Sequence, residues 1–150
     1  MDRNREKTST SSLWAQLFKA KSVRSYMDGN AGSLDLPTFS SYITGLCRQK
    51  GEVPEHIIRR AGLERSFGHQ LFRGARNPSR DTVLQLAFGF SATVEETQEL
   101  LLHAGQSQLY PRVRRDAAIG YCLKNGYGLV ETQCMLSELG LPAIGGYAHG

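Results

Sequence analysis

Apolar residues recur along the chain in short stripes with helical spacing. The first eleven residues offer nothing apolar to bury, so Met1–Ser11 reads as a disordered tail. From Ser12, a candidate cap, a helix is expected to about Asp28, with Leu13, Trp14, Leu17 and Phe18 forming one stripe. Trp14 and Phe18 are expected to pack on the main domain, with a dimer contact as the alternative. Gly29–Ser33 is a loop by composition. Pro37 opens a helix to Lys50 that places Phe39, Tyr42, Ile43, Leu46 and Cys47 on one face, and Gly51 stops it.

The next elements are shorter. A helix is expected from Pro54 to Ala61, then a tight turn at Gly62, with Leu63 plugging the angle. A second helix runs from Arg65 to Phe72 behind Glu64, a weak cap by type. After the loop Gly74–Ser79, Ser79 caps a helix from Arg80 to Gly89 that buries Val83, Leu84, Leu86 and Ala87. Thr93 and Glu96 form a capping box for a helix ending near Gly105.

The pattern then repeats. Offsetting Arg80–Gly105 by 35 residues onto Arg115–Gly140 gives seven identities, among them Arg80/Arg115, Asp81/Asp116 and the triplet Glu96-Thr97-Gln98 on Glu131-Thr132-Gln133. A second helix pair, about Pro111–Asn125 and Leu129–Leu139, is therefore expected beside the first. Asp81 and Asp116 are expected to stabilise helix N-termini. Leu141–Gly150 reads as a flexible tail. The domain organisation is thus a disordered tail (1–11), an N-terminal helix and loop (12–36), a main domain (37–105), a second helix pair (106–140) and a flexible tail (141–150).

Composition adds limits. At 150 residues the chain can bury a core without disulfides. Cys47, Cys122 and Cys134 show no metal-ligand spacing and are expected to be buried free thiols in a reducing cytoplasm. No metal site or cofactor is expected. The N-terminus lacks a signal-peptide core, and no apolar run reaches membrane-spanning length. The four histidines are scattered, and no nucleophile–base or paired-carboxylate pattern points to an enzyme.

Charge changes the picture more. The net charge is +4, but Arg48–Arg80 holds eight basic residues against Glu52, Glu55 and Glu64, a local excess of +5. That excess coincides with the two short helices and favours a phosphate backbone as partner.

The residues Gly62-Leu63-Glu64-Arg65-Ser66, followed by Gln70-Leu71-Phe72-Arg73-Gly74-Ala75-Arg76-Asn77-Pro78-Ser79, resemble the lambda-repressor-like (XRE or Cro-type) helix-turn-helix family. The likeness covers Pro37 to Ala104. It implies an all-α fold: a five-helix lambda-repressor-like domain, here with an N-terminal helix and an additional C-terminal helical hairpin. It also implies a transcriptional regulator, a repressor by family habit, that reads double-stranded DNA in the major groove as a dimer in a bacterial, nucleoid-associated, cytoplasmic setting. By position, Arg65, Ser66, His69 and Gln70 face base edges; arginine suits guanine and glutamine suits adenine. Arg59, Arg60, Arg73, Arg76 and Asn77 are the phosphate contacts, with Arg48 a further candidate.

The sequence departs from that family in the helix crossing. A small residue is usual at Ile58 and a larger one at Gly68; here the sizes are exchanged, which reads as volume compensation. Phe67 and Phe72 stand at commonly polar positions, with Phe67 expected to pack on the extra helices. Pro54 replaces a polar residue that reaches phosphate in many relatives. The alternative function is a protein-interaction module of the same fold, an antitoxin, phage inhibitor or adaptor, using the N-terminal helix or the C-terminal pair.

Overall fold

The structure, a computed structural model, describes residues 10–34 and 37–145. Among the described residues it is all-α, with nine α-helices and no strand. None of these helices is long and apolar enough to cross a membrane. The chain divides into two compact units, residues 1–36 and 37–150.

The first unit holds α1 (Thr10–Lys19) and α2 (Val23–Gly29), then a 3-10 turn, Ala31–Ser33. Two helices thus replace the single one expected over Ser12–Asp28. The break follows from Ser22, whose hydroxyl accepts from Ser25 N–H at 3.0 Å and caps a new helix. Neither helix carries a buried residue. Trp14 and Phe18 stack on each other within this unit, with ring centres 5.4 Å apart. Of the tail expected over Met1–Ser11, Thr10 and Ser11 belong to α1, and the rest lies outside the described residues.

The second unit begins with α3 (Phe39–Lys50), capped by Thr38 and closed by Gly51. α4 (Pro54–Arg60), α5 (Arg65–Arg73), α6 (Arg80–Gly89) and α7 (Val94–His103) follow. α4 packs on α5 and α6, while α3 packs on α5 and α7. Their shared core includes Ile43, Ile57, Leu71, Val83, Leu84, Leu86 and Leu100, all fully buried. Burying each such side chain contributes about 1.5–3 kcal/mol.

The second helix pair is α8 (Arg114–Lys124) and α9 (Leu129–Glu138). The repeat extends to atomic detail. Glu96 and Glu131 accept the N–H of Thr93 and Gly128 at 3.0 and 2.9 Å. Thr97 and Thr132 donate to the carbonyls of those same two residues, each at 2.8 Å. Gln98 clamps the backbone of Leu109, and Gln133 clamps Ile144 in the same two-bonded way. Each member of the recurring triplet therefore has a structural task. Even the backbone repeats: Ser91 has φ +53° where its counterpart Gly126 has +74°.

The two hairpins close on each other rather than stacking in one direction. Arg80 grips Asp116, and Arg115 grips Asp81. α7 packs on α8, and α9 packs back on α6. Tyr110 N–H donates to Asp116, and its counterpart Gly145 N–H donates to Asp81. Such reciprocity is that of a two-fold pair, here made within one chain. Asp81 and Asp116 lie in the first turns of α6 and α8, as expected of them, and are in addition interface anchors.

Two further expectations change. The tail expected from Leu141 onward is docked as far as Gly145, with Ile144 only 1% exposed; residues 146–150 lie outside the described ones. Cys47 and Cys122 are buried, but Cys134 is exposed on α9, at the position equivalent to Glu99.

Candidate nucleic-acid interface

The candidate interface is built on α4, α5 and the turn between them. Val53 caps α4 by backbone alone, and Pro54 fits its first turn, where no N–H is needed. Gly62 takes φ +70°, which reverses the chain. Leu63 packs against the core beneath the turn. Glu64 then starts α5, its two carboxylate oxygens accepting from Ser66 and Phe67 N–H at 3.0 and 2.8 Å. These bonds, Phe67 first, hold the Glu64 carboxyl below the ordinary glutamate range. A long side chain thus performs the cap that its type disfavours.

Helical spacing divides α5 cleanly. Gly68 and Leu71 are buried, and Phe67 and Phe72 are half-buried. Arg65, Ser66, His69, Gln70 and Arg73 fall on the other side at i, i+1, i+4, i+5 and i+8. The exchanged sizes at the helix crossing face each other. A methyl group added at Gly68 would lie 2.6 Å from Ile58 Cγ1, so only glycine fits against this isoleucine. Phe67 lines a groove of about 880 Å³ that also meets Leu129 and Ile144 of the second hairpin, and the Arg76 guanidinium lies 5.7 Å from its ring centre. Phe72 meets Phe90 at 6.4 Å.

The expected contact residues are not equally free. Arg65 Nε donates to both Glu55 oxygens, at 3.2 and 2.9 Å, and Glu55 Oε1 lies 2.9 Å from His69 Nε2. The His69 and Arg65 hydrogen bonds, in that order, lower the Glu55 pKa below its usual value. Glu55, counted in the sequence only as a charge opposing the basic stretch, is therefore the hub of the edge. Gln70 Oε1 accepts from Arg76 Nε at 3.0 Å.

Among the arginines, Arg60 is spent on the fold: Nε donates to Gly89 O at 3.0 Å, and Nη2 pairs with Glu52 at 2.9 Å. Lys50 pairs with Glu96, and Arg80 with Asp116. Of the eight basic residues between Arg48 and Arg80, Arg48, Arg59, Arg73 and Arg76 have no carboxylate partner among the described residues. All four are exposed, as are Ser66 and Asn77.

Glu55 could not be found from sequence, because its partners lie ten and fourteen residues away and only the α4–α5 crossing joins them. The groove beside Phe67 was equally hidden, since its far wall comes from the second hairpin. No group of His, Cys, Asp and Glu among the described residues is arranged to hold a metal ion. Set against family models, curated proteins and solved structures, the chain gives no match.

Proposed function

We propose that the chain is a sequence-specific double-stranded DNA-binding regulator of the lambda-repressor-like helix-turn-helix type. In this reading α4, the Gly62 turn and α5 are the motif, and α5 enters the major groove. The observation that carries it is the outward edge of α5. Arg65, Ser66, His69 and Gln70 line that edge together with Arg73 of the same helix and Arg76, which bonds Gln70. Arg73 and Arg76, like Arg48 and Arg59 of the same basic stretch, are exposed and have no carboxylate partner among the described residues. Arg59, Arg73, Arg76 and Asn77 hold phosphate and fix register; Arg65, Ser66, His69 and Gln70 address bases. Arg60 is the weakest member of the phosphate set, since Glu52 and Gly89 already hold it. A chain with one such motif covers one half-site, so a homodimer on a palindromic operator, in a bacterial cytoplasm, completes the reading.

Selection of bound fragments from a randomised duplex pool at low salt tests this. Enrichment of a short, palindromic site supports it; absence of duplex binding overturns it.

A second reading, binding of a protein partner, draws on a different observation. The Trp14–Phe18 stack is exposed, and Tyr121, Val130 and Leu139 are exposed on or beside the second hairpin. Partner capture that survives loss of the α5 arginines, without DNA binding, favours this alternative.

A further inference from the structure

The loop that carries Arg76 and Asn77 is fastened to the connector between the two hairpins. Gln106 Nε2 donates to Pro78 O at 3.1 Å, and Arg80 donates to the carbonyls of Ser107 and Gln108 at 2.9 and 3.1 Å. The same loop reaches the outward edge of α5, where Arg76 bonds Gln70. One run of contacts therefore leads from α5 to the start of the second hairpin.

That start carries three arginines, Arg112, Arg114 and Arg115. The fold uses one of them, since Arg115 grips Asp81. Arg112 and Arg114 are exposed, and among the described residues neither side chain has a hydrogen-bond or ion-pair partner. Asp116, the acidic residue of the first turn of α8, is committed to Arg80. Cations are disfavoured at this positive end of a helix dipole. Neither helix stability nor pairing therefore accounts for the two arginines, whereas an external anion does. The 35-residue offset of the repeat puts Arg112 at the place of Asn77 and Arg114 at that of Ser79. The Arg80–Asp116 and Arg115–Asp81 pairs set the starts of α6 and α8 side by side. The second hairpin thus presents its own version of the phosphate loop next to the first.

Resting on the DNA-binding reading above, we infer that Arg112 and Arg114 are further phosphate contacts to the same duplex. They hold backbone flanking the bases that α5 addresses. The footprint then extends beyond the helix-turn-helix motif. Affinity rises without added sequence preference, because phosphate contacts carry no base identity.

The test measures duplex binding of the full chain against salt, for wild type, the pair Arg112→Ala with Arg114→Ala, the same pair changed to lysine, and Lys124→Ala. Lys124 is an exposed cation at the other end of α8, about 15 Å along the helix from Arg114. On the site that wild type selects, the alanine pair should bind more weakly, with a salt slope shallower by about two and an unchanged base profile. The lysine pair keeps both charges and should keep the slope. Lys124→Ala should leave the slope at the wild-type value. Ethylation of phosphates beside the site should weaken wild type and leave the alanine pair unaffected. A wild-type slope in the alanine pair, a shallow slope in the lysine pair, or a loss of about one in Lys124→Ala overturns the inference while leaving DNA binding by α5 intact. Absence of duplex binding by wild type overturns the underlying reading instead.

Discussion

Arg80 holds the Asp116 carboxylate with both terminal nitrogens, at 3.0 and 2.9 Å, and 35 residues later Arg115 holds Asp81 at 3.0 and 3.1 Å. Each guanidinium also takes two carbonyls from the segment after its own hairpin: Ser107 and Gln108 for Arg80, Pro142 and Ala143 for Arg115. The two hairpins are thus locked by the same device used twice in opposite directions. Asp116 is 4% exposed. Leaving such a charge unpaired is costly.

Arg80→Ala should therefore destabilise the second unit by about 3 kcal/mol, the lower end for a broken buried pair because Arg80 itself is partly exposed. Arg115→Ala should cost less, since Asp81 is more accessible. Denaturant unfolding checks both, and a smaller effect at Arg80 than at Arg115 would contradict the ranking.

The same lock gives an acid response. Burial pushes the Asp81 carboxyl up. The Arg115 and Gly145 hydrogen bonds and the Arg115 and Arg80 charges outweigh that and hold it below the ordinary aspartate value. A depressed folded-state pKa contributes stability above the unfolded value, about pH 4, and that stability is lost as pH falls through the folded value. Asp81→Asn should therefore be less stable than wild type at neutral pH, with the gap closing in acid. A gap independent of pH would contradict it.

Ser91 sits in a left-handed conformation at φ +53° where the repeat has Gly126. Ser91→Gly should stabilise by about 0.5–1 kcal/mol, the relief of left-handed strain less the added chain entropy of glycine. Thermal unfolding would show the gain; a loss would mean the serine side chain matters more than its backbone.

The Ile58–Gly68 crossing predicts strong coupling. Gly68→Ala should cost about 1–3 kcal/mol through overpacking, despite the better helix propensity of alanine. Ile58→Ala should cost about 2–5 kcal/mol as a cavity. The double substitution restores complementary sizes and should cost clearly less than the sum, as a double-mutant cycle measures. Strict additivity would separate the two sites.

The second unit was most legible where signals were local. Ser79 and Thr93 mark the starts of α6 and α7 because capping is written within three residues. The repeat was equally visible, but a sequence offset cannot tell a one-way stack from a two-fold closure. The direction lies in which arginine meets which aspartate, across 36 and 34 residues. Ile144 looked like part of a glycine-rich tail because the two bonds that dock it come from Gln133, eleven residues back. In the first unit one helix was expected over Ser12–Asp28, because the apolar spacing ran on past Ser22, whose hydroxyl starts a new helix. At the candidate interface, the residues of α5 were legible by position; their internal partners, Glu55 for Arg65 and His69 and Arg76 for Gln70, were not.

The most direct measurement is duplex binding by the full chain as a function of salt. Within Arg48–Arg80, the arginines without a carboxylate partner among the described residues are Arg48, Arg59, Arg73 and Arg76, the proposed phosphate contacts. With each releasing one counterion, the logarithm of the binding constant should fall against the logarithm of salt concentration with a slope at least as steep as about −3 to −4 per chain. Arg73→Ala should make that slope shallower by about one. Binding that is absent at low salt, or that does not weaken as salt rises, would contradict a DNA-reading role for α5.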